Sequence, residues 1–237
     1  MDDAGSPAPG PRILAAEPIR ALVFDRDGVL SYFDGETAAA FFRDLVPISV
    51  TEVAGLWFNY GRERGFPRSD AEERLQLREF WAFVSDSYQL AAWQRRTLEQ
   101  VDYADYLVAY PEVKEVLTRL RSMGLRVGVL SNFGLASLSR SLAALELAEL
   151  IDVAHAAPVT GVAKPEAWAF LAVAQALDTP PQNCLFLDDE QQHVDGAVKA
   201  GLRACRVDRS QPLSDVNAGF VNGLTPVLDI LQPWPGG

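Results

Sequence analysis

Short apolar runs that each end on a polar residue alternate, along much of the chain, with stretches whose apolar residues recur at helical spacing. The first run is ALVF at residues 21–24, which stops at Asp25 and is followed by Gly28, the pattern of a buried strand entering a turn. Beyond Tyr110 and Pro111, Val113, Val116, Leu117 and Leu120 mark one face of a helix. Gly124 suits the left-handed position after its last turn, and LRVGVL predicts the next strand, ending at Ser131. Leu135, Leu138 and Leu142 predict a helix and residues 151–154 a third strand. Pro165 takes the first position of a helix that carries Phe170, Leu171, Val173, Ala174 and Leu177. Residues 184–187 and 204–207 read as a fourth and fifth strand around a helix at 194–200 closed by Gly201, and Thr225 with Pro226 starts a last short helix. This alternation predicts an α/β fold: a doubly wound, Rossmann-like parallel sheet covered on both faces.

Residues 34–107 break the alternation with helical patterns alone. Ser49 with Glu52 and Ser69 with Glu72 fit the capping box, in which hydroxyl and carboxylate each satisfy a free backbone donor. Leu75, Phe80, Trp81, Val84 and Tyr88 follow at near-helical spacing. The segment reads as a small all-helical domain inserted into a core made of residues 18–33 and 108–237. Residues 1–17, rich in Gly, Pro and Ala at their start, are expected to be a mobile tail.

Composition narrows the picture. With 49% apolar and 22% charged residues over 237 positions, the chain can bury roughly 70–75% of its unfolded surface and needs no disulfide or structural metal. Its 21 Lys and Arg against 32 Asp and Glu give a formal charge of −11, which repels a phosphate backbone and excludes non-specific nucleic-acid binding. Cys184 and Cys205 lack metal-ligand spacing and are read as buried thiols. No run reaches the roughly 18 apolar residues of a membrane span, so no membrane association and a cytoplasmic location are expected.

Ligands of such a sheet bind beyond the carboxyl ends of its strands, and four polar clusters fall there. Asp25-Arg26-Asp27-Gly28 brings two acids together after the first strand, either as a self-bonded turn or as a site whose repulsion a cation offsets. Ser131 and Asn132 offer either a helix cap or an anion site. Lys164 faces the positive end of a helix dipole, either solvated or held by something anionic. Asp188-Asp189-Glu190 is either a solvated acidic loop or an all-oxygen ligand set, which favours magnesium over zinc. Each cluster alone has a bland reading; together they furnish a metal-anchored phosphate pocket.

The order DRDGVL, SN, KP, then LDDE followed by AVKAG resembles the haloacid dehalogenase superfamily of aspartate-nucleophile phosphotransferases, over about residues 22–207. The helical insert is similar to that family's small cap. The resemblance implies Asp25 as nucleophile and Mg²⁺ ligand, and Asp27 as general acid and base with its carbonyl on the metal. It implies Ser131, Asn132 and Lys164 on the phosphoryl oxygens, Asp189, 12 residues before Gly201, as the metal-ligating acid, and Asp188 as its auxiliary. The namesake dehalogenases lack the second acid, so Asp27 argues for a phosphatase. The implied substrate is a small phosphorylated metabolite, a phosphosugar among the candidates; the alternatives are a phosphosugar mutase of the same fold and a non-catalytic phosphate or metal-binding regulator. Monomer and homodimer are equally compatible with the sequence. His193 is read as a surface or capping residue and His155 as lying at a strand end. Trp57, Phe58, Tyr60, Phe80, Trp81 and Trp93 are read as helix-packing core, and Arg62 with Arg64 as a solvated face.

Overall fold

A computed structural model describes residues 18–231; the expected N-terminal tail lies outside them. Six strands, β1 (Ala21–Phe24), β4 (Arg126–Ser131), β5 (Val153–Ala156), β6 (Cys184–Asp188), β7 (Arg203–Val207) and β8 (Phe220–Val221), form one sheet in the order β5-β4-β1-β6-β7-β8. All five pairings are parallel. The α/β, Rossmann-like fold expected from the alternation is the one observed.

The pleat of β1 explains the two layers. Leu22 and Phe24 point to one face, where they meet Val113, Val116, Leu117 and Leu120 of α5 (Val113–Ser122) and Leu138 and Leu142 of α6 (Leu138–Ala144). Ala21 and Val23 point to the other, against Ala169, Phe170, Val173 and Ala174 of α8 (Ala167–Ala176) and Val194 and Ala197 of α9 (Gln191–Lys199). A strand buried on both faces shows no apolar–polar alternation, hence the plain ALVF run. Cys184 and Cys205 are buried free thiols, as expected.

Between β1 and β4 runs the helical stretch: α1 (Gly35–Phe42), α2 (Val50–Arg64), α3 (Asp70–Ser87) and α4 (Ala92–Leu98). It has its own apolar cluster, with Phe42, Trp57, Tyr60, Phe80, Trp81 and Leu98 buried. Trp57, Tyr60, Phe80 and Trp81 pack as predicted, whereas Phe58 and Trp93 are exposed. Ser49 and Glu52 form the full capping box of α2; at α3 Ser69 accepts the Glu72 N–H, but Glu72 turns its carboxylate to the Arg68 N–H instead.

Other boundaries shift for physical reasons. An antiparallel ribbon of β2 (Ser31–Phe33) and β3 (Leu107–Ala109) stands at the base of the insert, too short to leave a period in the sequence. The third strand lies two residues later than read, because Asp152 is drawn aside to accept the Val127 N–H at 2.8 Å. Leu135 precedes its helix and packs into the insert's cluster. Pro165 is not a first helical residue: its peptide with Lys164 is cis and α8 starts at Ala167. The strand β8 was not foreseen. The short helices α7 (Ala157–Thr160) and α10 (Val227–Leu231) complete the fold.

Candidate active site

The sheet changes winding direction around β1: the chain passes to β4 and β5 on one side and then to β6, β7 and β8 on the other. The carboxyl ends of β1, β4 and β6 therefore open onto one crevice. They deliver Asp25, Ser131 and Asp188. Asp25 donates its backbone N–H to Leu187 O at 2.8 Å, so the ladder itself fixes where the carboxylate leaves the sheet.

Lys164 joins the first and last clusters. Its Nζ lies 2.7 Å from Asp25 Oδ1 and 2.7 Å from Asp188 Oδ2, and its side chain is almost fully buried. Burial pushes the ammonium's pKa down, but the two carboxylates outweigh that and hold it above the ordinary lysine value. The anion that its position called for is this pair of acids. Burial raises Asp25 to about 7 against the lowering pull of Lys164, with Asp188 and Asp27 adding to the rise. Burial also works to raise Asp188, yet His193, Lys164 and the Glu190 N–H keep it below the usual carboxylate range. Asp189 is raised by burial and by its neighbour Asp188.

Asp25, Asp188 and Asp189 each offer an oxygen within 4.8 Å of the others. Three carboxylates with only one ammonium between them leave negative charge uncompensated, and Asp188 and Asp27 add to the rise that burial gives Asp25. The all-oxygen set of the three carboxylates fits a hard divalent cation. Gly28 closes the approach: at φ 78° it takes a turn that side chains avoid, and a Cβ there would stand 2.3 Å from the Asp189 carboxylate.

The middle clusters divide their work. Ser131 is buried, and its Oγ accepts the Phe133 N–H at 3.2 Å, which leaves its own hydroxyl hydrogen to donate. Asn132 does not cap the following helix, whose N-cap is Ser137. Its Oδ1 accepts the Lys164 N–H at 2.9 Å and its Nδ2 donates to Lys164 O at 2.8 Å. The amide expected on the phosphoryl oxygens thus clamps the backbone of the lysine, with one Nδ2 hydrogen left over.

Asp27 sits apart from the lysine. Arg26, buried to 2% exposure, grips its carboxylate with Nε at 3.1 Å and Nη2 at 2.7 Å, and donates from Nη1 to Ser141 Oγ at 2.9 Å. The guanidinium also lies over the rings of Phe133 and Tyr103, at 4.9 and 5.3 Å from their centroids. Tyr103 Oη stands 3.5 Å from Asp27 Oδ1.

Two residues at the site escaped sequence reasoning. His193 is buried rather than superficial, with Nδ1 3.1 and 3.2 Å from the two Asp188 oxygens. The signal was its position on the first turn of α9, directly after the acidic loop. Helix α9 can press on the lysine loop because Gly196 has no side chain; a Cβ there would come within 2.7 Å of Pro165 O. Arg26 was hidden between the two acids that drew attention, and only its burial reveals it. His155 lies in β5 near the strand's end, as read.

Comparison with known proteins agrees with the geometry. The chain is 36% identical over 217 residues to phosphatase MT3486 of Mycobacterium tuberculosis (strain CDC 1551 / Oshkosh), covering 91% of this chain and 99% of that protein. It is 26% identical to (S)-2-haloacid dehalogenase 4A of Burkholderia cepacia, over 81% of this chain and 84% of that one. A crystal structure of a dehalogenase superposes with a TM-score of 0.66 at 24% identity over 92% of this chain and all of the other, a likeness of fold. The family model for haloacid dehalogenase-like hydrolases matches residues 19–201. With its switch-point acids and buried lysine inside the matched span, the chain belongs to the haloacid dehalogenase-like hydrolases.

Proposed function

We propose that the protein is a Mg²⁺-dependent phosphatase that hydrolyses a small phosphate monoester through an aspartyl-phosphate on Asp25, with the helical insert as a cap over the crevice. The observation that carries this reading is Lys164 between Asp25 and Asp188, with a second acid, Asp27, two residues past the first. A carboxylate can attack an anionic ester only where positive charge screens the approach, and phosphoryl transfer asks little more than alignment and such screening. Mg²⁺ held by Asp25, Asp188 and Asp189 would supply further screening and polarise a phosphoryl oxygen.

The chain's own groups account for the rest. The Asp25 carboxylate oxygen forms a bond to phosphorus as the bond to the ester oxygen breaks; Asp27 gives that oxygen a proton. Asp27 then takes a proton from the water that attacks the phosphorus, and phosphate leaves with the Asp25 carboxylate restored. Lys164 and the Ser131 hydroxyl bind the transferring oxygens, Asn132 keeps the Lys164 backbone in place, and His193 holds the Asp188 carboxylate in its orientation. The Asp27 acid favours this chemistry over dehalogenation, where a halide departs without a proton.

Release of phosphate from a panel of phosphorylated metabolites with Mg²⁺ tests the reading. Activity that chelation removes and Asp25→Asn abolishes is the expected result; full activity in Asp25→Asn sinks it. Interconversion of sugar phosphates primed by a bisphosphate, with little free phosphate, would instead identify a mutase.

A further inference from the structure

A cavity of about 290 Å³ opens between the helical insert and the loop after β4. Val50, Ala54 and Phe58 on α2 line one side, Trp57, Phe80 and Trp81 lie deeper, and Tyr103 with Phe133 forms a wall. Those two rings stack at 4.4 Å between centroids, 24° from parallel. The same two rings face the site: the Arg26 guanidinium lies over both, Tyr103 Oη stands 3.5 Å from Asp27 Oδ1, and the Phe133 N–H is bonded to Ser131 Oγ. The acid that would protonate a leaving group therefore stands just behind the cavity's aromatic wall, and the serine that would hold the phosphoryl group touches the same residue pair through the Phe133 backbone.

The two acids in the lining are already engaged, and Arg140 Nε is the one buried polar side-chain atom of the lining that makes no hydrogen bond. Glu73 accepts from Ser137 N at 2.8 Å, Ser137 Oγ at 2.6 Å and Arg140 Nη2 at 2.7 Å, and Arg140 Nε pairs with Asp102 at 3.3 Å. A sugar moved into this space would give up water at each hydroxyl and meet rings in return, which is unfavourable; an apolar group gains from the same transfer. A dry apolar cavity of about 150 Å³ is enough for benzene, so this one has room for one or two rings or an alkyl chain.

We propose that the cavity takes the organic half of the ester, so that the substrate is the phosphate monoester of an apolar aromatic or alkyl alcohol and not a phosphosugar. The proposal rests on the phosphatase reading above and narrows it. Tyr103 and Phe133 set the junction, and Ala54, exposed at the mouth, sets how long a group can enter.

Alkyl phosphates from ethyl to hexyl test the idea at nearly constant leaving-group basicity, with glucose 6-phosphate and 1-naphthyl phosphate beside them. The expected result is kcat/KM rising about fourfold per added methylene until the cavity is filled, naphthyl phosphate well above glucose 6-phosphate, and a series flattened by Ala54→Trp. Val50→Phe repeats the obstruction from the other edge should Ala54→Trp fail to fold. A flat series, or preference for the sugar phosphate, overturns the proposal and leaves the phosphatase standing. If no ester is hydrolysed, the phosphatase reading is what has failed, and 1-naphthol binding then decides the cavity through the indole fluorescence of Trp57 and Trp81. Saturable quenching lost in Ala54→Trp upholds an apolar ligand; absence of saturable quenching overturns it.

Discussion

Lys164 keeps its charge in a nearly dry place because Asp25 and Asp188 meet it from the neighbouring strands β1 and β6, and those two contacts are why three separated sequence signals converge on one atom. Arg26 poses the complementary case. It spends both arms of its fork on Asp27, and its flat guanidinium is held between Ser141 and two aromatic rings. A planar bidentate donor of this kind fixes the direction of a carboxylate as a lysine ammonium cannot. Arg26 is therefore a positioning residue for Asp27 in its proposed role as the base that takes the attacking water's proton. Arg26→Leu is expected to lower kcat by about 10²-fold, the lower end of what general acid–base catalysis contributes, while KM for a small ester changes little; Arg26→Lys should recover only a part. A merely structural role would show as lowered thermal stability with kcat preserved in the folded fraction. Steady-state kinetics beside thermal unfolding separates the two. The acids and the serine were legible in sequence because they stand at or just past strand ends, where polar residues are conspicuous, and the lysine because it precedes Pro165 at an expected helix start. Arg26 and His193 were not, since a charged side chain in a turn gives no sign of whether it faces water or a partner.

Elements carry the legibility further. The strands β1 and β6 were readable from continuous apolar runs, β4 and β7 from apolar runs broken by a single arginine, and α5 from its single apolar face, because local pattern and burial agree there. The boundaries that moved did so where a side chain competes with the backbone, and Asp152 is the clearest example. Between α5, β4 and β5 its carboxylate accepts the Val127 N–H at 2.8 Å and pairs with Arg121 at 3.0 Å. Burial works to raise its pKa, but the Val127 bond and the Arg121 and Arg126 charges win and hold it below the ordinary value. A carboxylate whose folded pKa is depressed stabilises the fold above its unfolded pKa and loses that contribution as pH falls through the folded value. Asp152→Asn should therefore cost about 1–2 kcal/mol at pH 7. Urea unfolding of both proteins should show the gap closing below about pH 4, where the unfolded carboxylate protonates. A gap that stays constant down to pH 2 would place the loss in packing instead.

At the scale of the molecule, a formal charge of −11 keeps polyanions away, yet the proposed chemistry requires an anionic ester to enter. Local charge resolves the conflict only if a cation joins Lys164 among the three carboxylates. Asp25 carries the signature, since burial without enough positive charge raises it to about 7. A divalent cation bound there favours the ionised form and must displace any proton. Mg²⁺ binding at pH 7 is thus expected to release about half a proton from Asp25, and its apparent affinity to weaken by up to about tenfold per unit as pH falls below 7. Because the three acids come from β1 and from the end of β6, a cation bridging them ties the two halves of the sheet and stabilises the fold as a whole. Saturation at 100 times Kd adds about 2.7 kcal/mol to the unfolding free energy, seen as a Tm that rises with Mg²⁺ and does so less at pH 6 than at pH 8. Asp189→Asn should weaken the rise and, by taking away one of three mutually repelling carboxylates, leave the metal-free Tm no lower. Calorimetric titration in buffers of different ionisation enthalpy counts the protons, and a Tm indifferent to Mg²⁺ at both pH values would remove the metal from the reading.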